Sequence, residues 1–282
     1  MKLQFLGTGA AEGVPSVLCD CPTCQEVRKR GEKAFHTRAQ VVVDDILSID
    51  FPPDAYYHSL KFGVNLRGIK SALITHSHLD HFYAHDFVLR GYKYARSGME
   101  KIVIYGNEEV KKVFDECVRR EMRPDVAPLV EVRVIKPFEE FETEGYKVFP
   151  LLAQHSQKED ALLFLIQKDG KKYLHLADTG RLPNVSYEKL AERLKGEKSA
   201  IDCIVFDCTF LYSTGGEISR HMGLKDNEVV FTQLKERGLV DETTRRIITH
   251  YSHNNDPLEE TLLQAEEEYN VVAARDGLEI NI

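Results

Sequence analysis

No long apolar run interrupts this chain. Its hydrophobic residues, 43% of 282, fall in short stretches, and none approaches the roughly 20 consecutive residues a membrane helix needs. A helical membrane span is therefore excluded. Residues 1–6 run straight into Gly7-Thr8-Gly9, too short an apolar segment for a secretory leader. Excess basic charge is lacking as well. The formal net charge is −8, which argues against a broad nucleic-acid footprint. A small anionic substrate remains compatible, because bound cations reverse the local field. Cysteine is too sparse for a disulfide scaffold. There are six, three of them in Cys19-x-Cys21-x2-Cys24. Thiols so spaced suit a metal in a reducing compartment, and a cytoplasmic enzyme is expected. Linkers and low-complexity tracts are missing too. One domain over residues 1–282, with a zinc knuckle at 19–24, is the expectation.

What is present is concentrated at Thr75-His76-Ser77-His78-Leu79-Asp80-His81, after the apolar run Ala72-Leu73-Ile74. Imidazole and carboxylate together suit zinc, manganese or iron. A buried structural cluster of this density would leave polar groups without partners. The four groups diverge from a short turn, so two neighbouring ions fit better than one. The plain alternative is a polar surface loop with a chance run of histidines.

Hydrophobic alternation places strands at 2–6, 40–43, 46–49, 71–75, 101–105, 130–135, 146–152, 161–167, 172–176, 201–206, 245–249, 270–273 and 278–280. Asp44-Asp45 and Asp169-Gly170 mark hairpin turns. Helical patterns cover 82–99, 108–122, 186–194, 224–237 and 258–269. Strand runs occur in both halves, each followed by helices, which predicts an α/β fold with sheet packed on sheet and helices outside. Gly7 and Gly9 read as a turn or a close backbone approach rather than a phosphate cradle, because no Lys-Ser/Thr ending follows. Cys117, Cys203 and Cys208 read as packing residues.

Several further chemical groups lie at or just past strand ends: His155, Asp178 and His250. With His76, His78, Asp80 and His81 they make a seven-residue ligand set. Asp207 is expected to support it. The three knuckle thiols need a fourth ligand from elsewhere, since a structural zinc site is tetrahedral.

The His-x-His-x-Asp-His run, with the later groups following in order, resembles the metallo-β-lactamase superfamily. The resemblance spans the chain and implies a four-layer αβ/βα sandwich with its metal site between the ends of two sheets. The opening Gly-Thr-Gly-Ala-Ala-Glu-Gly-Val-Pro, the cysteine knuckle and the late Thr-His-Tyr-Ser-His resemble a narrower branch. These are the phosphoribosyl cyclic phosphate phosphodiesterases of the carbon–phosphorus lyase pathway. That resemblance implies that His76, His78 and His155 hold one divalent ion, Asp80, His81 and His250 the second, with Asp178 bridging. It implies a structural zinc on Cys19, Cys21, Cys24 and His253. His221, in a loop before a helix, matches the catalytic histidine, and Asp80 is carried over as catalytic besides ligating. The chain departs from the family at Asp50-Phe51-Pro52-Pro53, where a short Asp-Ala-Gly turn is usual.

The implied activity is hydrolysis of a small, cyclic phosphodiester by two zinc, manganese or iron ions. The expected partner is that small molecule, with neither nucleic acid nor membrane involved, and a homodimer is left open. A tRNA 3′-processing endonuclease would need a basic RNA-gripping arm, which no segment supplies. Thioester or lactone hydrolysis stays open, because the same site can attack carbonyl carbon. A non-enzymatic scaffold would have lost ligands, whereas all seven are present.

Overall fold

The computed structural model describes residues 1–96, 98–197 and 199–282. Six strands come first: β1 (Lys2–Gly7), β2 (Gln40–Val43), β3 (Leu47–Ile49), β4 (Ser71–Leu73), β5 (Ile102–Gly106) and β6 (Val130–Val134). The next seven are β7 (Phe141–Thr143), β8 (Tyr146–Leu152), β9 (Leu162–Lys168), β10 (Lys171–Leu176), β11 (Cys203–Asp207), β12 (Arg245–Thr249) and β13 (Val272–Ala273). The last strand, β14 (Leu278–Asn281), returns to pair antiparallel with β1. The result is two seven-stranded sheets, ordered β14-β1-β2-β3-β4-β5-β6 and β13-β12-β11-β10-β9-β8-β7.

Period-two side-chain alternation explains why the sheets stack. On β9, Leu162, Phe164 and Ile166 face the other sheet, beside Leu3 and Phe5 of β1 and Val41 and Val43 of β2. The intervening Leu163 and Leu165 face the opposite way. There they meet α4 (Asn184–Arg193), α5 (Leu224–Glu236) and α6 (Glu259–Tyr269) through Leu190, Val230, Leu234 and Leu262. The outer face of the first sheet is covered by α2 (Ala55–Phe62) and α3 (Glu108–Arg120), through Ala55, Val110 and Phe114. The layers thus run helix, sheet, sheet, helix, and the fold is the metallo-β-lactamase sandwich.

Strands β3 to β6 are mutually parallel, and so are β10 to β13. Parallel neighbours need crossover connections, which the outer helices supply. Consequently the carboxyl ends of β3, β4, β10, β11 and β12 deliver Asp50, His76, Asp178, Asp207 and His250 to one edge of the molecule. The expected hairpin turns are present. Asp169 and Gly170 form a two-residue turn, both with the positive φ it requires, whereas the β2–β3 connection has three residues, 44–46, of which Asp44 and Asp45 take positive φ.

Gly9 is a close-approach position. A Cβ there would stand 2.5 Å from the carbonyl oxygen of His36, so the loop after β1 can lie on the 36–38 segment only with glycine.

The helix expected over 82–99 is corrected. The chain forms a short 3-10 helix, Ala84–Arg90, and then turns. Gly91 takes an extended conformation and Tyr92 a left-handed one, φ 55°, and neither continues a helix. Residue 97 of that stretch lies outside the described residues. Two helices carry no strong pattern: α1 (Pro22–Arg30), which grows out of the cysteine knuckle, and α2, which follows Pro52-Pro53. No helix among the described residues is long and apolar enough to cross a membrane.

Candidate active site

The turn after β4 is built around Asp50. This residue ends β3 with φ 62°, unusual for a non-glycine residue. Its carboxylate accepts from the Thr75 amide at 2.8 Å and from the Thr75 hydroxyl at 3.0 Å. It also binds His81 Nδ1 at 2.6 Å. Asp178 and His250 likewise hold positive φ, 57° and 67°. Three side chains at one edge therefore sit on strained backbone. Glycine would relax the strain and delete the functional group, so the positions keep it.

Asp178 is the hub. Its Oδ2 lies 3.0 Å from His81 Nε2 and 3.3 Å from His76 Nε2. Its Oδ1 lies 3.3 Å from His155 Nδ1 and 3.7 Å from His250 Nε2. Donor atoms of His76, His78, His155 and Asp178 lie within 4.8 Å of one another, and so do those of Asp80, His81, Asp178 and His250. All seven residues expected in the set are brought together, and they form two groups that share Asp178.

The set fits divalent ions on the chemistry of its atoms. Among the described residues, His81 Nε2, His250 Nε2 and Asp178 Oδ1 are buried and make no hydrogen bond of proper geometry, although they crowd against one another as ion-pair neighbours, a costly arrangement unless something else binds them. Meanwhile the opposite ring nitrogens are occupied. His81 Nδ1 meets Asp50, His250 Nδ1 meets the Thr209 hydroxyl at 2.8 Å, and His76 Nδ1 meets the Thr75 hydroxyl at 3.0 Å. Partners on the outer nitrogen orient a ligating imidazole and fix its tautomer. His78 is the exposed member of the first group.

Electrostatics follow the same geometry. Burial would raise the Asp178 carboxyl, but His250, His221 and His81 overcome it and hold it well below the usual carboxylate range. Burial opposes charge on His221, yet Asp178 at 3.1 Å and Asp207 at 3.3 Å push it up to about 10. His221 is only partly buried and lines the cleft over the cluster, a cavity of about 490 Å³.

The loop carrying His221 is pinned from both sides. The Met222 amide donates to Asp207 at 2.8 Å. Asp226, at the start of α5, accepts from the Gly215 and Gly223 amides and from Arg181. Across the cleft, a Cβ on Gly180 would meet the Ser219 carbonyl oxygen at 1.9 Å, so the loop can reach Asp178 only over a glycine.

Glu159 was not legible as a site residue. It has no motif, and its partners are distant in sequence. Its carboxylate accepts from the Ser77 amide at 3.0 Å, the Ser77 hydroxyl at 2.7 Å and Asn107 Nδ2 at 2.8 Å. It thereby ties the His155 loop to the turn between His76 and His78. Glu159→Gln, which keeps the shape and loses the charge, is expected to weaken metal retention about 10-fold or more, in the range known for outer partners of metal ligands. Metal titration of the variant checks this, and wild-type affinity would count against the clamp.

The knuckle residues also converge. Donor atoms of Cys19, Cys21, Cys24 and His253 lie within 4.8 Å of one another, with Cys21 Sγ 3.5 Å from His253 Nδ1. The Cys24 amide at the start of α1, followed by His253, lowers the Cys21 thiol to about 6, toward the thiolate a metal binds. Tyr251 exchanges backbone hydrogen bonds with Thr8 and Ala10, which joins the early loop to the late His-Tyr-Ser-His run.

Comparison with known proteins agrees with this architecture. The profile of the β-lactamase superfamily domain matches residues 49–251. Among solved structures, a diphosphatase of the PhnP family has a TM-score of 0.71 at 24% identity, covering 99% of this chain and 96% of that one. Zn²⁺-bound PqqB from Methylobacterium extorquens has a TM-score of 0.74 at 19% identity, with both chains covered fully. The short form of human tRNase Z has a TM-score of 0.66 at 16% identity, covering 100% of this chain and 99% of that one. At these identities the likeness is one of fold. A curated octanoyltransferase from Porphyromonas gingivalis is 26% identical over 162 residues, 56% of this chain. The matched region spans only 31% of that protein's length.

Proposed function

This chain belongs to the β-lactamase superfamily and is a hydrolase, and from that premise we propose that it is a dinuclear metal-dependent phosphodiesterase. Its substrate is a small, cyclic phosphodiester of the phosphoribosyl cyclic phosphate kind. The observation that carries the reading is the position of Asp178, one carboxylate common to two donor groups. A shared carboxylate is what a pair of ions needs to stand side by side, and paired ions suit phosphodiester displacement. The whole chain serves as one catalytic domain, with the knuckle as its zinc-bearing appendage.

His76, His78 and His155 would hold one ion and Asp80, His81 and His250 the other, with Asp178 between them. Bound there, the ions supply Lewis-acid charge to phosphoryl oxygens and make water a competent nucleophile at neutral pH. The chain's own residues do the rest. Asp50 and Thr209 hold the His81 and His250 rings in orientation. Asp207, 3.3 Å from His221 Nδ1, orients that ring at the edge of the cleft and favours its charged form. From there its imidazolium can give a proton to the departing alkoxide.

A panel of cyclic and linear phosphodiesters, a precursor tRNA and a lactone, assayed with zinc, manganese and iron added separately, tests the reading. Turnover of the lactone or tRNA with no phosphodiester cleaved would overturn it. His221→Ala is expected to lower kcat by about 10²–10⁴, the span of general-acid contributions. The loss should be smaller for an aryl diester, whose good leaving group needs little protonation. Equal losses on both would deny His221 the role of acid.

A further inference from the structure

Two stretches that the chemistry of the cleft leaves unused meet on the helix-bearing side of the first sheet. They are Phe51-Pro52-Pro53, just past Asp50, and the 3-10 helix Ala84–Arg90 with the turns after it. Between them and α2 lies a cavity of about 610 Å³ that shares no lining residue with the cleft over the cluster. Phe51 and Phe87, both buried, pack with ring centres 4.7 Å apart and form its floor, with Leu66 and Met99 beside them. Tyr56 and Leu89 stand at the rim, exposed at 68% and 46%. The volume is that of a small-molecule site, and the lining is mostly apolar, as such sites are.

The polar part of the lining gives the cavity its preference. Arg90 lines it and is only 8% exposed. Its Nη2 donates to the Glu100 carbonyl at 2.7 Å. Its Nε is buried without a hydrogen-bond partner, and the guanidinium makes no ion pair among the described residues. A buried cation so placed is costly unless an anion meets it. Burial, and then the charge of Arg67 on the same cavity, lower the Arg90 guanidinium from its ordinary value, yet arginine stays charged. Two positive groups thus line the cavity with one carboxyl, Asp86, which burial makes easier to protonate.

We propose that this cavity binds a free medium-chain carboxylate, its chain against Phe51, Phe87, Leu66 and Met99 and its head on the Nε edge of Arg90. A carboxylate accepts the guanidinium fork in two-point contact, and it supplies the negative charge that the protein withholds. The cavity is not remote from the ligand turn. The Phe51 amide donates to the His81 carbonyl, and the Phe51 carbonyl accepts from the Tyr83 amide, each at 2.8 Å. An occupant against the Phe51 ring therefore bears on the turn that carries His81. The proposal does not rest on the phosphodiesterase reading.

The chain contains no tryptophan, so Tyr56→Trp places a single fluorescent indole at the rim. The metal-loaded, full-length Tyr56→Trp protein is titrated with decanoate, nonanoate and decanol below micelle formation. Decanoate is expected to give a saturable change in emission. It should bind about fourfold tighter than nonanoate, the worth of one buried methylene. It should bind about tenfold tighter than decanol, the size of a charge-assisted contact. Arg90→Met in the same background should bring decanoate down to decanol, and Arg90→Lys should keep part of the difference. No saturable change with decanoate overturns the proposal. So does equal affinity for decanoate and decanol, a comparison that needs no change at Arg90 and stands even if its variants do not fold. A preference for decanoate undiminished in folded Arg90→Met also overturns it, by placing the carboxylate elsewhere. None of these results touches phosphodiester hydrolysis, which the substrate panel decides separately.

Discussion

Asp178→Asn is expected to be the most damaging single substitution in the cleft. The change is nearly isosteric, so the fold should survive and the loss should be chemical. Asp178 is buried, and its carboxylate stands among the nitrogens of His76, His81, His155, His221 and His250. No other residue belongs to both proposed ligand sets. An amide can offer one oxygen, without charge, where two ions each require a share. The expected result is loss of at least one active-site ion per chain and a fall in kcat on the order of 10³. That equals about 4 kcal/mol of lost barrier lowering, the upper range for removing one preorganised electrostatic group. Elemental analysis alongside steady-state turnover checks both halves. Two retained ions and near-normal turnover would sink the bridging role.

Why the centre was readable and its supports were not has a physical basis. Metal chemistry demands particular atoms, and the strand pattern showed where those atoms would emerge. His155, Asp178 and His250 each follow a clear apolar run by one to three residues. Supports need only a hydrogen bond. Glu159 reaches Ser77 across 82 positions, and Asp226 reaches Arg181 across 45. Either could have been another polar residue with no change in local pattern.

The same logic applies to the helices. Helix α1 buries only Thr23, Cys24 and Val27, and its first residues look like a metal knuckle before they look like a helix. Helix α2 is eight residues, rich in aromatics, and lacks a side-chain cap. The stretch 82–99 erred the other way. Its aromatics at helical spacing are there, with Phe82 and Phe87 buried. They pack from a 3-10 turn, and the conformations of Gly91 and Tyr92 stop the helix.

Removing the knuckle ion is expected to act on stability first and on catalysis second. The segment from Ser16 to Arg30 has little apolar surface of its own to bury. Val17 and Leu18 are exposed at 75% and 98%. What holds it are the thiols opposite His253, a hydrogen bond from Thr23 to Asp256, and the Arg30 fork on Glu260 at 2.6 and 2.7 Å. The Arg30 pair is solvent-exposed and contributes little. Metal binding free energy becomes folding free energy wherever the ligands are not otherwise held together.

Cys21→Ser should therefore release one zinc per chain and lower the thermal midpoint by on the order of 10 °C, as a loss of several kcal/mol does in a domain of this size. Cleavage by protease should appear first near α1. His253 lies three residues past His250, and Tyr251 between them binds the early loop through Thr8 and Ala10. Slack at the knuckle therefore reaches the second ion's ligand, and turnover should fall with the two active-site ions still bound. Cys117→Ser is the control. That thiol is buried on α3 in a separate core, so its loss should cost stability without releasing zinc. If Cys21→Ser kept its full zinc content and its midpoint, the four residues would be neighbours without a common ion.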